Sequence, residues 1–401
     1  MTALTDHFRQ AFPYFQRANA PVYLDSAATA LKPQILIDST NACYSQAGSV
    51  HRGMQHAHTT DQYEHARTLM AQWLHCQSPD CVVWTSGATA SINLVAHGIA
   101  PQLCPSDNII TTRAEHHANF VPWVMLAQKC GAALRVIDFD HHYAIDQTAL
   151  LAQLDHQTKL VALNLQSNIT GTIQAISPLI HLIRTHAPNA YILLDCAQAI
   201  VHQRLDVQKL DADFYVFSAH KLYGPTGLGV LTGKRAALSQ LQPLHFGGKM
   251  VQHVSERAVS FAPLPYRLEA GTPNIAAVIA FGDVLAWLAT WDIERLQRDT
   301  VTLAQYCYTA LSQMAGCRLF SASPVESLFS FAFDGIASID LALLLQEHGI
   351  VLRTGQHCAQ PYLHALGEQS LLRLSFAPYN NTDDIEQFLT TLSLSLDLLR
   401  D

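Results

Sequence analysis

The chain has 401 residues, with 24 Lys and Arg against 32 Asp and Glu and a formal charge of −8 with histidine neutral, a balance that excludes a protein built to hold a nucleic-acid backbone. Hydrophobic residues make up 49% and charged residues only 14%, which excludes a disordered chain and allows large buried cores. At roughly 150 residues per domain the length suits two or three domains, and two of unequal size are expected.

From the N-terminus, Met1 to Phe15 carries Asp6, His7 and Arg9 among apolar residues, which is not the basic-then-apolar layout of a signal peptide. No run approaches the roughly 18 uninterrupted apolar residues of a membrane-spanning helix, so a cytoplasmic protein without a membrane partner is expected. Residues 82–85 read as a strand and 91–95 as part of a helix. A strand at 108–112, a helix at 120–129, a strand at 134–139, a helix at 147–154 and a strand at 159–165 follow. The alternation continues with a helix around 179–186, a buried strand at 191–194, and strands at 214–217 and 229–232. A Pro-rich stretch, 263–273, marks the approach to a second domain, where 303–314, 341–347 and 384–399 read as helices. Such alternation predicts an α/β fold with a mainly parallel sheet covered by helices.

Nine cysteines are an odd number, scattered without a C-x-x-C pair, which argues against a disulfide framework and a zinc ribbon. Among the 21 histidines, the pairs His116-His117 and His141-His142 bring no Cys or carboxylate partner at ligand spacing, so no metal site is expected.

In sheets of this kind ligands sit beyond the C-terminal strand ends. After 82–85 comes Ser86-Gly87-Ala88-Thr89, a glycine turn into a helix N-terminus whose free N–H groups can hold a phosphate. Glu115-His116-His117 follows the next strand, Ser167-Asn168 follows 159–165, and Asp195 ends the apolar strand at 191–194, three residues before Gln198. A buried aspartate there needs either a cationic partner or neighbouring N–H groups. After 214–217 comes Ser218-Ala219-His220-Lys221, closed by Gly224-Pro225. A lysine held at a strand end by a tight turn suits an amine that must form a Schiff base. One lysine, one strand-end carboxylate, a phosphate-grade helix N-terminus and a histidine able to stack form the parts of a pyridoxal phosphate site.

Further motifs are Tyr23-Leu24-Asp25-Ser26-Ala27-Ala28-Thr29, Val50-His51-Arg52, Asp195-Cys196-Ala197-Gln198, Glu269-Ala270-Gly271-Thr272-Pro273-Asn274 and Arg353-Thr354-Gly355-Gln356-His357-Cys358-Ala359-Gln360-Pro361, then Arg373 and Tyr379-Asn380. In this order, and over essentially the whole chain, they resemble the class V group of fold-type I pyridoxal phosphate enzymes and, within it, the cysteine desulfurases. The short segment before Cys358 resembles the compact-loop group. Gly247-Gly248-Lys249-Met250-Val251 and the residues around Cys358 look closest to the cysteine sulfinate desulfinase (CsdA) branch, with the SufS branch as near neighbour.

The resemblance implies a seven-stranded-type large domain over residues 20–285 and a smaller α+β domain formed by 286–401 with 1–19. It implies pyridoxal 5′-phosphate as cofactor, with Lys221 carrying it covalently, Asp195 pairing with the ring nitrogen, Gln198 bonding the phenolate oxygen and His116 stacking on the ring as a catalytic residue. Ala88, Thr89, Ser218 and His220 would hold the phosphate, joined by Thr272 from the other subunit of a homodimer. Arg373 and Asn168 would bind the substrate carboxylate, with Asn168 also near the cofactor and with Arg353, His51 and Arg52 as further substrate contacts. Cys358 would accept sulfur and pass it to a small acceptor protein of the SufE or CsdE type. L-cysteine, cysteine sulfinate and selenocysteine fit such a pocket.

Physical chemistry supports several of these roles. A carboxylate keeps the proton on a pyridinium nitrogen, and the planar fork of arginine suits a carboxylate. Arg353 and His357 near Cys358 are expected to enlarge its thiolate fraction. His357 itself is expected to point away from Cys358, because neighbours on an extended segment face opposite sides. The sequence also departs from the family: Ser86-Gly87-Ala88-Thr89-Ala90 stands where members commonly read Arg-Gly-Thr-Thr-Glu, and Ala219 replaces the usual glycine. Another class V reaction, such as that of a kynureninase, epimerase or aminotransferase, shares the fold. A cofactor-free thiol hydrolase or sulfur-relay scaffold would share only Cys358.

Overall fold

The computed structural model describes residues 3–46, 48–321 and 324–400. Its largest element is a seven-stranded sheet of β1 (Val82–Thr85), β2 (Asn108–Thr112), β3 (Ala133–Ile137), β4 (Thr158–Asn164), β5 (Tyr191–Asp195), β6 (Phe214–Ser218) and β7 (Gly229–Gly233). The spatial order is β1-β7-β6-β5-β4-β2-β3. All neighbouring pairs are parallel except those made by β7, which runs antiparallel to both β1 and β6. Strands β2, β4, β5 and β6 are apolar runs buried on both faces, as helices on either side require. Edge strand β3 is only partly buried and stops two residues before the predicted end at 139.

Three helices without clear sequence signals complete this layer. Gln34–Tyr44, Ala57–Trp73 and Ile275–Leu288 pack together. Gly282 permits the approach, since a Cβ there would lie 2.6 Å from the Cβ of Ala66. The stretch expected to mark a domain boundary therefore runs into a core helix, and the expected division at 285 falls inside it. Among the described residues no single helix is long and apolar enough to cross a membrane.

The second sheet is antiparallel, ordered β8-β9-β11-β10 from β8 (Cys317–Phe320), β9 (Leu328–Phe333), β10 (Arg353–Gly355) and β11 (Leu371–Ser375). Helices Ile293–Ser312, Ser338–Glu347 and Thr382–Arg400 pack around it. The first begins ten residues before its predicted start at 303. The N-terminal segment is shared between the cores. Phe8 and Phe12 join the large cluster beside Trp287 and Tyr379, whereas Val22 and Leu24 belong to the small domain's core, where Val22–Tyr23 pairs with Ile350–Val351.

A buried ion pair ties these layers together near β1. Arg67 donates to both carboxylate oxygens of Glu269 at 2.7 and 3.1 Å and to the Val82 carbonyl at 2.7 Å, and Glu269 also accepts the Trp84 N–H at 2.8 Å. Removing Arg67 leaves the Glu269 carboxylate buried without its bidentate partner, with Lys249 Nζ at 3.8 Å too far for a hydrogen bond of the same quality. Arg67→Met is expected to destabilise the protein by about 3–5 kcal/mol, read as a lower urea midpoint with unchanged slope; a midpoint equal to wild type would contradict this.

Candidate active site

Ser86-Gly87, Glu115-His116, Ser167-Asn168, Asp195 and Ser218 to Lys221 lie at or just beyond the C-terminal ends of β1, β2, β4, β5 and β6, and the topology brings those ends to one cavity. Its wall includes Ala88, Thr89, His116, Asn168, Asp195, Gln198, Ser218, His220, Lys221, Arg353, Cys358 and Arg373. Thr272, His51 and Arg52 do not line this cavity. Thr272 lines a second one with Trp84, Thr85, Ser86 and Ala90. His51 and Arg52 are exposed, and His51 Nε2 meets the Glu64 carboxylate at 3.0 Å.

Local structure accounts for each placement. The helix Ala88–Ile99 starts at Gly87, whose φ of +152° favours glycine. The Ala88 N–H donates to Ser218 Oγ at 2.8 Å, joining the phosphate-grade turn to the end of β6. Ala219 opens the short turn Ala219–Lys221 without a positive φ, so its methyl group is accommodated where the family commonly has glycine. That turn is clamped from behind by the N-terminal segment: the His220 carbonyl accepts the Ala30 N–H at 3.1 Å and Lys32 Nζ at 2.8 Å, and His220 Nδ1 meets Thr29 Oγ1 at 3.1 Å. Lys221 thereby faces the cavity, where burial lowers its pKa to about 8, Asp195 opposing the shift and Arg373 and Arg353 adding to it.

Asp195 is buried, and its Oδ1 accepts the Ala197 N–H at 2.9 Å. Burial raises its pKa, while the Ala197 hydrogen bond and the Lys221 charge act against the rise. A carboxylate so placed suits a ligand bearing a protonated nitrogen. His116 Nδ1 accepts the Ala118 N–H at 3.0 Å, which assigns the ring proton to Nε2. Burial first, then the charge of Lys221, push its pKa down to about 3, so a neutral ring faces the cavity. Gln198 donates one amide hydrogen to the Ala27 carbonyl at 3.1 Å.

Below His116 lies a buried node that sequence reasoning missed as such. Glu115 accepts from Thr112 Oγ1 at 2.7 Å, Asn119 Nδ2 at 2.7 Å and the Asn164 backbone N–H at 2.9 Å. Trp123 Nε1 donates to Asn119 Oδ1 at 3.0 Å, which fixes that amide's orientation. Glu115 stands beside His116 in the sequence, but its partners are up to 49 residues away.

On the other wall, Arg373 is buried. It donates from Nη1 to the Asn168 carbonyl and from Nη2 to Asp25 Oδ1, each at 3.0 Å. Asn168 Nδ2 donates to the His357 carbonyl at 2.9 Å, and the His117 N–H donates to the Cys358 carbonyl at 2.7 Å. Asn168 thus organises both Arg373 and the Cys358 segment. His357 and Cys358 have φ of +48° and +55°, so the segment is a left-handed turn and not the extended stretch from which His357 was expected to point away. The ring of His357 is buried and donates from Nε2 to the Leu371 carbonyl at 2.9 Å. Burial and the charges of Arg373 and Arg353 lower its pKa to about 3. His357 is therefore no cation beside Cys358, and the nearby positive charge is Arg353, whose Nη2 lies 3.9 Å from Sγ.

The residues fit pyridoxal phosphate: a helix N-terminus tied to Ser218 for the phosphate, a buried carboxylate for the ring nitrogen and one lysine whose amine faces the same space. Fold and site together define an α/β enzyme of the pyridoxal phosphate type. Over residues 22–388 the chain matches the family described as aminotransferase class-V. It is 56% identical over 98% of its length to a protein named probable cysteine desulfurase from Haemophilus influenzae, covering 90% of that protein. It is 43% identical to the cysteine desulfurase CsdA of Escherichia coli over 98% of each chain. The crystal structure of that enzyme superposes with a TM-score of 0.94 at 41% identity, covering all of both chains. The chain belongs to the aminotransferase class-V family, in the group of the cysteine desulfurases.

Proposed function

We propose that this protein is a pyridoxal 5′-phosphate-dependent cysteine desulfurase that removes sulfur from L-cysteine, releases L-alanine and keeps the sulfur as a persulfide on Cys358. The observation that carries this reading is a free thiol in the wall of the cavity that also holds Lys221, Asp195 and Arg373. Other class V reactions have no use for a cysteine at that place.

Asp195 would hold the ring nitrogen, Ser218, His220, Thr89 and the Ala88 turn the phosphate, Gln198 the phenolate oxygen, and neutral His116 the ring face. When bound, the cofactor supplies an electron sink that makes the substrate α-proton labile. Lys221 takes that proton at its amine. Arg373 binds the substrate carboxylate, with Asn168 setting its position. The Cys358 thiolate attacks the substrate sulfur, so that an S–S bond forms as the carbon–sulfur bond breaks with its electron pair passing to carbon; the proton that Cys358 gave up ends on the carbon that becomes the methyl group of alanine, and Lys221 returns a proton to the α-carbon. Cysteine sulfinate and selenocysteine place a different leaving group at the same position.

The reading includes a cytoplasmic homodimer in which Thr272 completes the partner's site, consistent with its place outside this chain's own cavity. A small acceptor protein of the SufE or CsdE type would take the sulfur. Purified holoenzyme given L-cysteine and a thiol reductant is expected to yield alanine and sulfide in equal amounts, with one persulfide per subunit trapped by alkylation before the reductant is added. Alanine without persulfide on Cys358 would overturn the assignment. Sedimentation at the mass of one chain would overturn the dimer.

A further inference from the structure

Two arginines stand opposite one another in the cavity wall. Arg353 on β10 and Arg373 on β11 are paired residues of an antiparallel ladder, so their side chains share a face, and both line the cavity. Like charges placed directly across a ladder repel, and Lys221 adds a third cation in the same space. Asp195, held by the Ala197 N–H, is the only carboxylate among the described residues lining the cavity. A second carboxylate meets the arginines from behind the wall, from the other end of the sequence. Asp25 Oδ1 accepts from Arg373 Nη2 at 3.0 Å, with the arginine side chain 2% and the aspartate 17% exposed. Its backbone is fixed by a parallel bridge to Ser375 and by the Ala27 N–H donating to Ser375 Oγ at 2.8 Å.

We propose that Asp25 is a positioning and specificity-determining residue, whose carboxylate orients Arg373 and offsets part of the cavity's positive charge, so that it lowers the cavity's selectivity for the anionic side chain of cysteine sulfinate relative to the neutral side chain of L-cysteine. This rests on the desulfurase reading and deepens it. Arg373 spends Nη1 on the Asn168 carbonyl and Nη2 on Asp25, while Nε, also buried, makes no hydrogen bond within the protein. The two bonds fix the plane of the guanidinium, and with it the direction in which the remaining N–H groups are presented to the cavity that Arg373 lines. Asp25 is a positioning residue because it acts through Arg373. Its charge reaches further: it raises the pKa of Lys221, while Arg373 and Arg353 lower it. The other titratable groups facing Lys221 are Asp195 and the rings of His116, His202 and His220, whose pKa values burial lowers.

Removing one negative charge from a partly dehydrated cavity changes the affinity for an added anion by about tenfold at separations of several ångströms. The experiment compares wild-type and Asp25→Asn holoenzymes, since asparagine keeps the size and one acceptor oxygen. The ratio of kcat/KM for cysteine sulfinate to that for L-cysteine is expected to rise about tenfold, with the larger share in KM. The pH at which the visible band of the Lys221-bound cofactor changes is expected to fall, because a carboxylate that stabilised the protonated nitrogen is gone. Asp25→Ala, which removes charge and acceptor together, should change the ratio as much and raise the L-cysteine KM further. Equal losses on both substrates with an unmoved spectral transition would overturn the proposal and leave Asp25 a structural ion pair. A wild-type enzyme inactive on L-cysteine would instead sink the desulfurase reading itself, and the spectral titration would still decide whether Asp25 acts on Lys221.

Discussion

Lys221→Ala is expected to lower alanine formation from L-cysteine by about 10⁴-fold or more while leaving a folded protein that still takes up the cofactor. The size of the effect follows from the cavity's composition. Lys221 is the one lysine among the described lining residues, so no neighbouring amine can take over either the covalent attachment or the proton transfer. Its pKa, lowered to about 8 by burial, leaves a useful fraction of neutral amine near neutral pH, as a base working there requires. Asp195, Ser218 and the Ala88 turn do not depend on Lys221 for their positions: they are set by the Ala197 N–H, by β6 and by the helix start. Binding and chemistry should therefore separate. The variant should retain one cofactor per chain, lose the visible band of the lysine-linked form, and turn over no substrate beyond background. Retention of that band, or activity within tenfold of wild type, would show that another group holds the cofactor.

The same positions explain why so much of this site was legible before any coordinates. Strands β2, β4, β5 and β6 are buried on both faces and read as short apolar runs, so the polar residue ending each run stands out, and such ends face the ligand in a parallel sheet. Asp195 and Lys221 were found in that way. Periodicity failed elsewhere for physical reasons. Helix Ile275–Leu288 is buried almost all round, so it has no polar face to give a 3.6-residue rhythm. Helices Gln34–Tyr44 and Ala57–Trp73 carry mixed polar residues on several sides. The Asp25–Arg373 pair spans 348 residues, and no local pattern announces a contact between an N-terminal motif and the third-from-last strand position of a distant sheet. The backbone of His357 and Cys358 was misread because no glycine marks either residue, although both adopt positive φ. Such a conformation in non-glycine residues costs about 1–3 kcal/mol and persists only where the surroundings impose it; here the His117 N–H, Asn168 and the Leu371 carbonyl do so.

That imposed turn determines what Cys358→Ala should do. Both backbone carbonyls of the turn are held from outside the segment, by Asn168 Nδ2 on His357 and by the His117 N–H on Cys358, so loss of the side chain should leave the loop and the cofactor site in place. Desulfuration of L-cysteine to alanine leaves the electron pair of the carbon–sulfur bond on carbon, so the sulfur can depart only to a nucleophile that bonds to it, and nothing else among the described cavity-lining residues carries a thiol. Alanine formation from L-cysteine is therefore expected to fall about 10²-fold or more. Cysteine sulfinate differs in its chemistry. Its carbon–sulfur bond can break with the electron pair passing to carbon while the sulfur departs as sulfur dioxide, which water converts to sulfite, and no protein nucleophile takes part. The same variant should keep at least about half of its sulfinate activity, with an unchanged visible spectrum. Parallel loss on both substrates would mean that Cys358 shapes the site and does not act as the sulfur acceptor. Full retention on L-cysteine would move that role to another group and with it the central claim of the desulfurase assignment, since Arg353, at 3.9 Å from Sγ, would then be a cation placed beside an idle thiol.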